Sequence, residues 1–111
     1  MRRVMNCSVG FALMLGMGVA YAAAPDPVAG REKAAACFSC HGETGNAESP
    51  AFPRLAGQYQ DYLVKALEAY ADGSRQNAIM QGFAAALSEQ DRKDIAAYFA
   101  SQKGLVVKRY E

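Results

Sequence analysis

Histidine occurs once in the 111 residues and cysteine three times. A structural zinc site takes four ligands, usually from two separated pairs of Cys and His, and this chain has no second pair to complete one. No constellation of catalytic acid, base and nucleophile is visible either. Valine and isoleucine are sparse, and no two-residue alternation persists long enough to argue for a strand. Charge of one sign is also missing: 12 Lys and Arg stand against 11 Asp and Glu. A nucleic-acid partner would call for a strongly basic face, so none is expected. No internal repeat is present.

No charged residue lies between Arg3 and Asp26. Arg2 and Arg3 precede an apolar run from Val9 to Val19, and Ala20-Tyr21-Ala22 then forms the small-x-small pattern of a signal-peptidase site. Residues 1–22 are therefore expected to be a cleaved signal peptide, leaving residues 23–111 as one small exported domain. Cleavage after Ala24 is disfavoured because Pro25 would follow. The competing reading is a retained anchor. Against it, the run is near the lower length limit for crossing a bilayer and is diluted by Gly10, Gly16 and Gly18. Cys7 and four of the five methionines leave with the leader. What remains is Cys37, Cys40, His41 and Met80, on a chain whose formal charge falls from +1 to about −1. A domain this small buries a modest core, and such domains often need a disulfide, metal or cofactor.

The remaining pattern is helical. Asp26-Pro27 reads as an N-cap with proline at the first helical position, opening a helix through "VAGREKAAACFSC". It stops at "HGETGN", and residues 43–56 look irregular, punctuated by Pro50 and Pro53. A connection that long in so small a domain usually has a function. A second helix fits "QYQDYLVKALEAYADG", with Tyr59, Tyr62, Leu63, Ala66, Leu67 and Tyr70 on one stripe and Gly73 as terminator. "SRQNAIMQGFAAAL" holds a short helix or a loop. Ser88-x-x-Asp91 is a capping-box start for a last helix through "EQDRKDIAAYFASQKG", with Ile95, Tyr98, Phe99 and Gln102 on one face and Gly104 closing it.

Cys37 and Cys40 sit three apart, and His41 follows at once, so the chemistry of the chain concentrates in "CFSCH". A thioredoxin-like dithiol belongs at the start of a helix that follows a strand. Here the pair comes at the end of the expected helix, with no strand before it. A plain disulfide suits an oxidising compartment but leaves the adjacent histidine unexplained. C-x-x-C-H is the attachment motif of c-type haem, in which both thiols add to the haem vinyl groups and the histidine offers a nitrogen to iron. Met80, the one methionine left, is then the candidate for the opposite axial position, since Met/His ligation raises the potential of electron-transfer haems. The bland alternative, a core methionine, fits its small and polar surroundings less well.

Taken together, "CFSCHGETGN", "PAFPRLAGQYQDYLVKALEAYADGSR" and "AIMQGFAAALSEQDRKDIAAYFASQ" resemble the class I c-type cytochromes, in particular the small bacterial mono-haem proteins and single halves of their di-haem relatives. The resemblance spans roughly residues 28–102. It implies an all-α cytochrome c fold, about four helices wrapped around one covalently bound haem c, with the first and last helices crossing. Carried over, Cys37 and Cys40 are the thioether residues, His41 the proximal ligand and Met80 the distal one. A proline carbonyl is implied as the acceptor for the second nitrogen of His41. Pro50 matches that position best, with Pro53 the alternative. Phe52, Leu55, Tyr59, Leu63 and Leu67 are expected to line the pocket, while Arg54 and Arg75 are left unassigned as partners of a haem propionate. The di-haem relatives carry two such units; here there is one.

The implied function is non-enzymatic: a periplasmic carrier shuttling single electrons between redox partner proteins through transient contacts, not spanning the membrane once mature. Two alternatives stay open: a dedicated haem subunit of one oxidoreductase, or a haem protein binding a small molecule at an open distal site.

Overall fold

A computed structural model describes residue 18 and residues 21–105. Most of the expected leader, residues 1–17 and 19–20, and the tail from residue 106 lie outside the described residues. Among those described, no helix is long and apolar enough to cross a membrane.

The first helix starts where the sequence predicts. The Asp26 carboxylate accepts the N–H groups of Val28 and Ala29, and Pro27 occupies the first helical position of α1, Pro27–Lys33. The chain then departs from the single helix expected through Cys40. Ala34–Cys37 form a 3₁₀ segment, and the α-helix resumes for one turn as α2, Phe38–His41. A 3₁₀ helix advances three residues per turn instead of 3.6, so four such residues rotate the following turn by about 80°. That rotation sets which way Cys40 and His41 face. Gly42, at φ 80°, ends α2.

The rest of the all-α architecture follows the expected order. Helix α3, Gln60–Asp72, ends at Gly73 in the left-handed conformation. Helix α4, Ala78–Ala85, settles the open reading of the Met80 region in favour of a short helix; Asn77 caps it by accepting the Met80 N–H at 3.0 Å. Helix α5, Glu89–Ser101, begins with both halves of the Ser88/Asp91 capping box. It stops before Gly104, because residues 103–105 turn back onto the irregular loop. There Asn46 Nδ2 donates to the Lys103 carbonyl at 2.8 Å, and the Leu105 N–H to that of Ala56 at 2.7 Å.

Helices α1 and α5 cross at Gly30, where a Cβ would lie 1.9 Å from the Asp94 carbonyl oxygen. Only glycine permits that approach. Beside the crossing, the buried Asp94 carboxylate accepts from the Asp26 N–H at 2.8 Å, Lys33 Nζ at 2.6 Å and Gln90 Nε2 at 2.9 Å. Burial alone would raise the pKa of Asp94; the bonds from Lys33, Asp26 and Gln90 outweigh it and hold the group below its ordinary value. Ala34, Leu63, Ile95, Ala96, Tyr98 and Phe99 form the core, with Phe38 stacked obliquely on Tyr98 and edge-on to Phe99. Phe99 is fully buried. A core of that size leaves the other side of α3 and α5 to be covered by something else.

Candidate cofactor site

That uncovered side is a cavity of about 360 Å³, within the range of cofactor pockets. Helix α2 and the 3₁₀ segment bring Cys37, Cys40 and His41 to it. Helix α3 contributes Leu63 and Leu67, α4 contributes Met80, α5 contributes Ile95, Ala96 and Phe99, and the irregular loop closes the remainder. The four residues singled out by motif and inventory, scattered from position 37 to 80, therefore meet in one apolar space. Four of the five expected lining residues are in place. Tyr59 is the exception: it stands at the N-terminus of α3, is 41% exposed and is not among the cavity walls.

His41 is buried, and its ring is oriented. Nδ1 lies 2.9 Å from the carbonyl oxygen of Pro53, and the Phe52 ring stands edge-on beside it at 6.2 Å. With Nδ1 carrying the proton donated to that carbonyl, Nε2 keeps a free lone pair. The acceptor is thus Pro53, not the expected Pro50, and Pro50 is corrected as a brace. The reason is a turn: Pro50 sits at an exposed bend where the Phe52 N–H closes back on the Ser49 carbonyl. That bend spends three residues, so the chain comes alongside His41 only at Pro53. Two prolines three apart give nothing in composition to choose between them; the Ser49-led turn was the missed signal.

The thiols have the character of anchors. Cys37 and Cys40 are free, and burial first, then the neighbouring Cys40, push the Cys37 thiol above its ordinary pKa. A redox dithiol has its attacking thiol lowered instead. Free thiols on the wall, an imidazole with one nitrogen occupied and one available, a thioether-bearing helix and apolar sides all suit a flat prosthetic group bound through its edge.

Such a helical shell around a covalent attachment motif is that of the c-type haem proteins. Residues 28–103 match the cytochrome c family, and the chain belongs to that family. It is 51% identical over 96 residues to cytochrome c4 of Pseudomonas aeruginosa, covering 86% of this chain and 47% of that one. It is 42% identical over 83 residues to cytochrome c-554(548) of Halomonas halodenitrificans, covering 72% of this chain and all of the relative. A thiosulfate dehydrogenase electron acceptor of Thiomonas intermedia is 38% identical over 104 residues, 93% of this chain and 45% of the relative. The crystal structure of reduced recombinant cytochrome c4 from Pseudomonas stutzeri superimposes with a TM-score of 0.70 at 47% identity, over 75% of this chain and 48% of that one. The chain thus spans about half the length of the cytochrome c4 relatives it matches. Family membership and the Cys37-x-x-Cys40-His41 spacing give one covalent haem c.

Proposed function

We propose that the chain is a periplasmic carrier of single electrons, with haem c joined through Cys37 and Cys40 and held axially by His41 and Met80. The observation that carries this is the convergence of Cys37, Cys40, His41 and Met80 on one apolar cavity with the His41 ring already oriented. When bound, the haem supplies the one-electron couple of its iron. The chain's own residues do the rest. The Pro53 carbonyl fixes the His41 ring and makes it more electron-donating. The Asn77 cap holds the start of α4, and so the backbone of Met80, in place. Leu63, Leu67, Ile95 and Phe99 line the cavity and would exclude water from a group bound there. Two axial side chains, both on fixed helices, leave little to rearrange between oxidation states. The charged start and apolar run of the leader, with a small-x-small site at Ala20–Ala22, support export to the periplasm.

A second reading has its own support. One relative is named as an electron acceptor of thiosulfate dehydrogenase, which favours a carrier committed to one oxidoreductase over a freely shared one. A reduced-minus-oxidised spectrum with potentiometry on the purified mature protein tests the first reading. A thioether–iron charge-transfer band in the ferric state and a low-spin spectrum are expected, and a high-spin ferric spectrum would defeat it. Co-purification from native periplasm separates the second: a stable stoichiometric enzyme complex supports commitment.

A further inference from the structure

Helix α4 presents an apolar face to solvent. Its inward side carries Met80 at the cavity and the buried Ala84. A surface helix normally sets polar and charged residues opposite such a side. Here Ala78, Ile79, Gly82, Ala85 and Ala86 stand there, at three- and four-residue steps, and all are exposed. Ile79 is 64% exposed, and Phe83, on the flank of the face, is 47% exposed. Both also reach the cavity, so the apolar strip is continuous with it. No charged residue occurs from residue 76 to residue 88.

Packing within the chain does not account for this face. A Cβ added at Gly82 would meet nothing within 4 Å, although glycine inside a helix costs stability relative to alanine. The fold itself therefore has no need of so small a residue at that point. A close approach from outside the chain does.

The occupant that fits is the same face of a second copy. An uncharged face meets its own copy without the like-charge repulsion that a charged one would suffer. In an isologous pair, residue i of one copy meets residue j of the other, and j meets i. Two α4 helices set antiparallel about Gly82 approach most closely where neither has a side chain. Ile79 of each copy then lies against Ala85 of the other, bulk against hollow, and the two helix dipoles oppose. Arg75 and Glu89, both exposed, are equidistant from Gly82 in the sequence, so opposite charges also fall at matching ends. Cytochrome c4 of Pseudomonas aeruginosa carries about as much chain again as the part that matches, and a second copy supplies a body of that size. The eight residues of α4 span about 12 Å. A face so short stays below the roughly 1,200 Å² of a stable interface, which makes the pair a reversible one.

We infer that the outward face of α4, centred on Gly82, is a docking surface for a second copy of this chain in a reversible antiparallel pair. Met80 lies on the inward side of the same helix, so pairing sets two cavities back to back with two helices between them. The pairing stands without the covalent-haem reading; electron exchange between the copies rests on it.

The test is sedimentation of the protein as isolated, over roughly 10 µM to 1 mM, the range in which weak association is read. Wild type is expected to rise from the monomer mass toward twice that value. Gly82→Glu places a charge in open space at a site where any other residue favours helix, and should stay monomeric with its absorption spectrum unchanged. Val28→Glu, at an exposed position on α1, should associate like wild type. Wild type that stays monomeric overturns the proposal and leaves the face to a protein of another sequence. Association of Gly82→Glu at wild-type strength also overturns it, and so does its loss in Val28→Glu, which would place the contact elsewhere. If Gly82→Glu yields no folded protein, Ala86→Glu decides by the same masses. Failure of the haem reading is seen separately, as wild-type protein without haem stain on a denaturing gel.

Discussion

His41 Nδ1 and the Pro53 carbonyl oxygen stand 2.9 Å apart, linking the attachment motif to a loop that begins after α2 has ended. Pro53 locks φ, so the direction of its neighbouring backbone is set by a ring rather than by chance. Pro53→Gly should loosen this bond, leave His41 less electron-donating and raise the potential. Pro50→Gly, at the exposed bend, should leave it near wild type. Potentiometry of the two variants checks this, and equal shifts would contradict the assignment.

Met80→Ala should leave haem attached, remove the ferric charge-transfer band and lower the potential, since the thioether ligand is what favours the reduced state. Cys37→Ala with Cys40→Ala should abolish haem staining on a denaturing gel. Stain that survives would mean the group is not bound through these thiols.

Gly30→Ala is the sharpest test of the helix crossing. Its Cβ would fall 1.9 Å from backbone, not from a yielding side chain, so α1 and α5 must separate. Overpacking of this kind costs about 1–3 kcal/mol or more, and in a domain this small each kcal/mol is worth roughly 4–8 °C of melting temperature. A melting temperature unchanged from wild type would show that the two helices are not in contact.

Stability should also fall in acid through the Lys33 cluster. The hydrogen bond from Lys33 first, then those of the Ser88 cap, lower the Asp91 pKa to about 2. A group whose folded pKa is depressed stabilises above its unfolded value, near 4, and that contribution disappears as pH falls through the folded value. The loss should therefore lie between about pH 4 and pH 2. Lys33→Met should flatten that part of the profile while lowering stability at neutral pH, because buried Asp94 loses its cation. Denaturant titrations of both proteins across this range decide it; parallel acid limbs would rule Lys33 out as the cause.

Much of this was legible in the residues. The capping signals at Asp26-Pro27 and Ser88-x-x-Asp91 and the stop at Gly73 located helix ends correctly, because each acts within one turn. The cavity residues were legible through scarcity: one histidine, and one methionine beyond the expected leader, left little choice. What escaped depended on distant parts of the chain. The 3₁₀ stretch at Ala34–Cys37 lies in an alanine-rich run that suits either helix type. Gly104 looked like a helix stop, yet a Cβ there would meet Ala56 Cβ at 2.5 Å; its smallness serves the return of residues 103–105 to the loop. Tyr59 carried the right periodicity but sits one residue before α3 begins, where the helical stripe no longer applies.

The wall of the cavity supplied by Ile95, Ala96 and Phe99 comes from the last helix of the unit, whereas Cys37, Cys40 and His41 lie near its beginning. In any chain made and exported from its N-terminus, the thiols emerge well before the surface that backs them. Closing the crossing of α1 with α5 at Gly30 and Asp94 means closing a loop that contains Cys37, Cys40, His41 and Met80, and the entropy of that closure is met only once. The order of the elements thus sets the order in which the parts of the wall become available: thiols and imidazole first, the α5 face last.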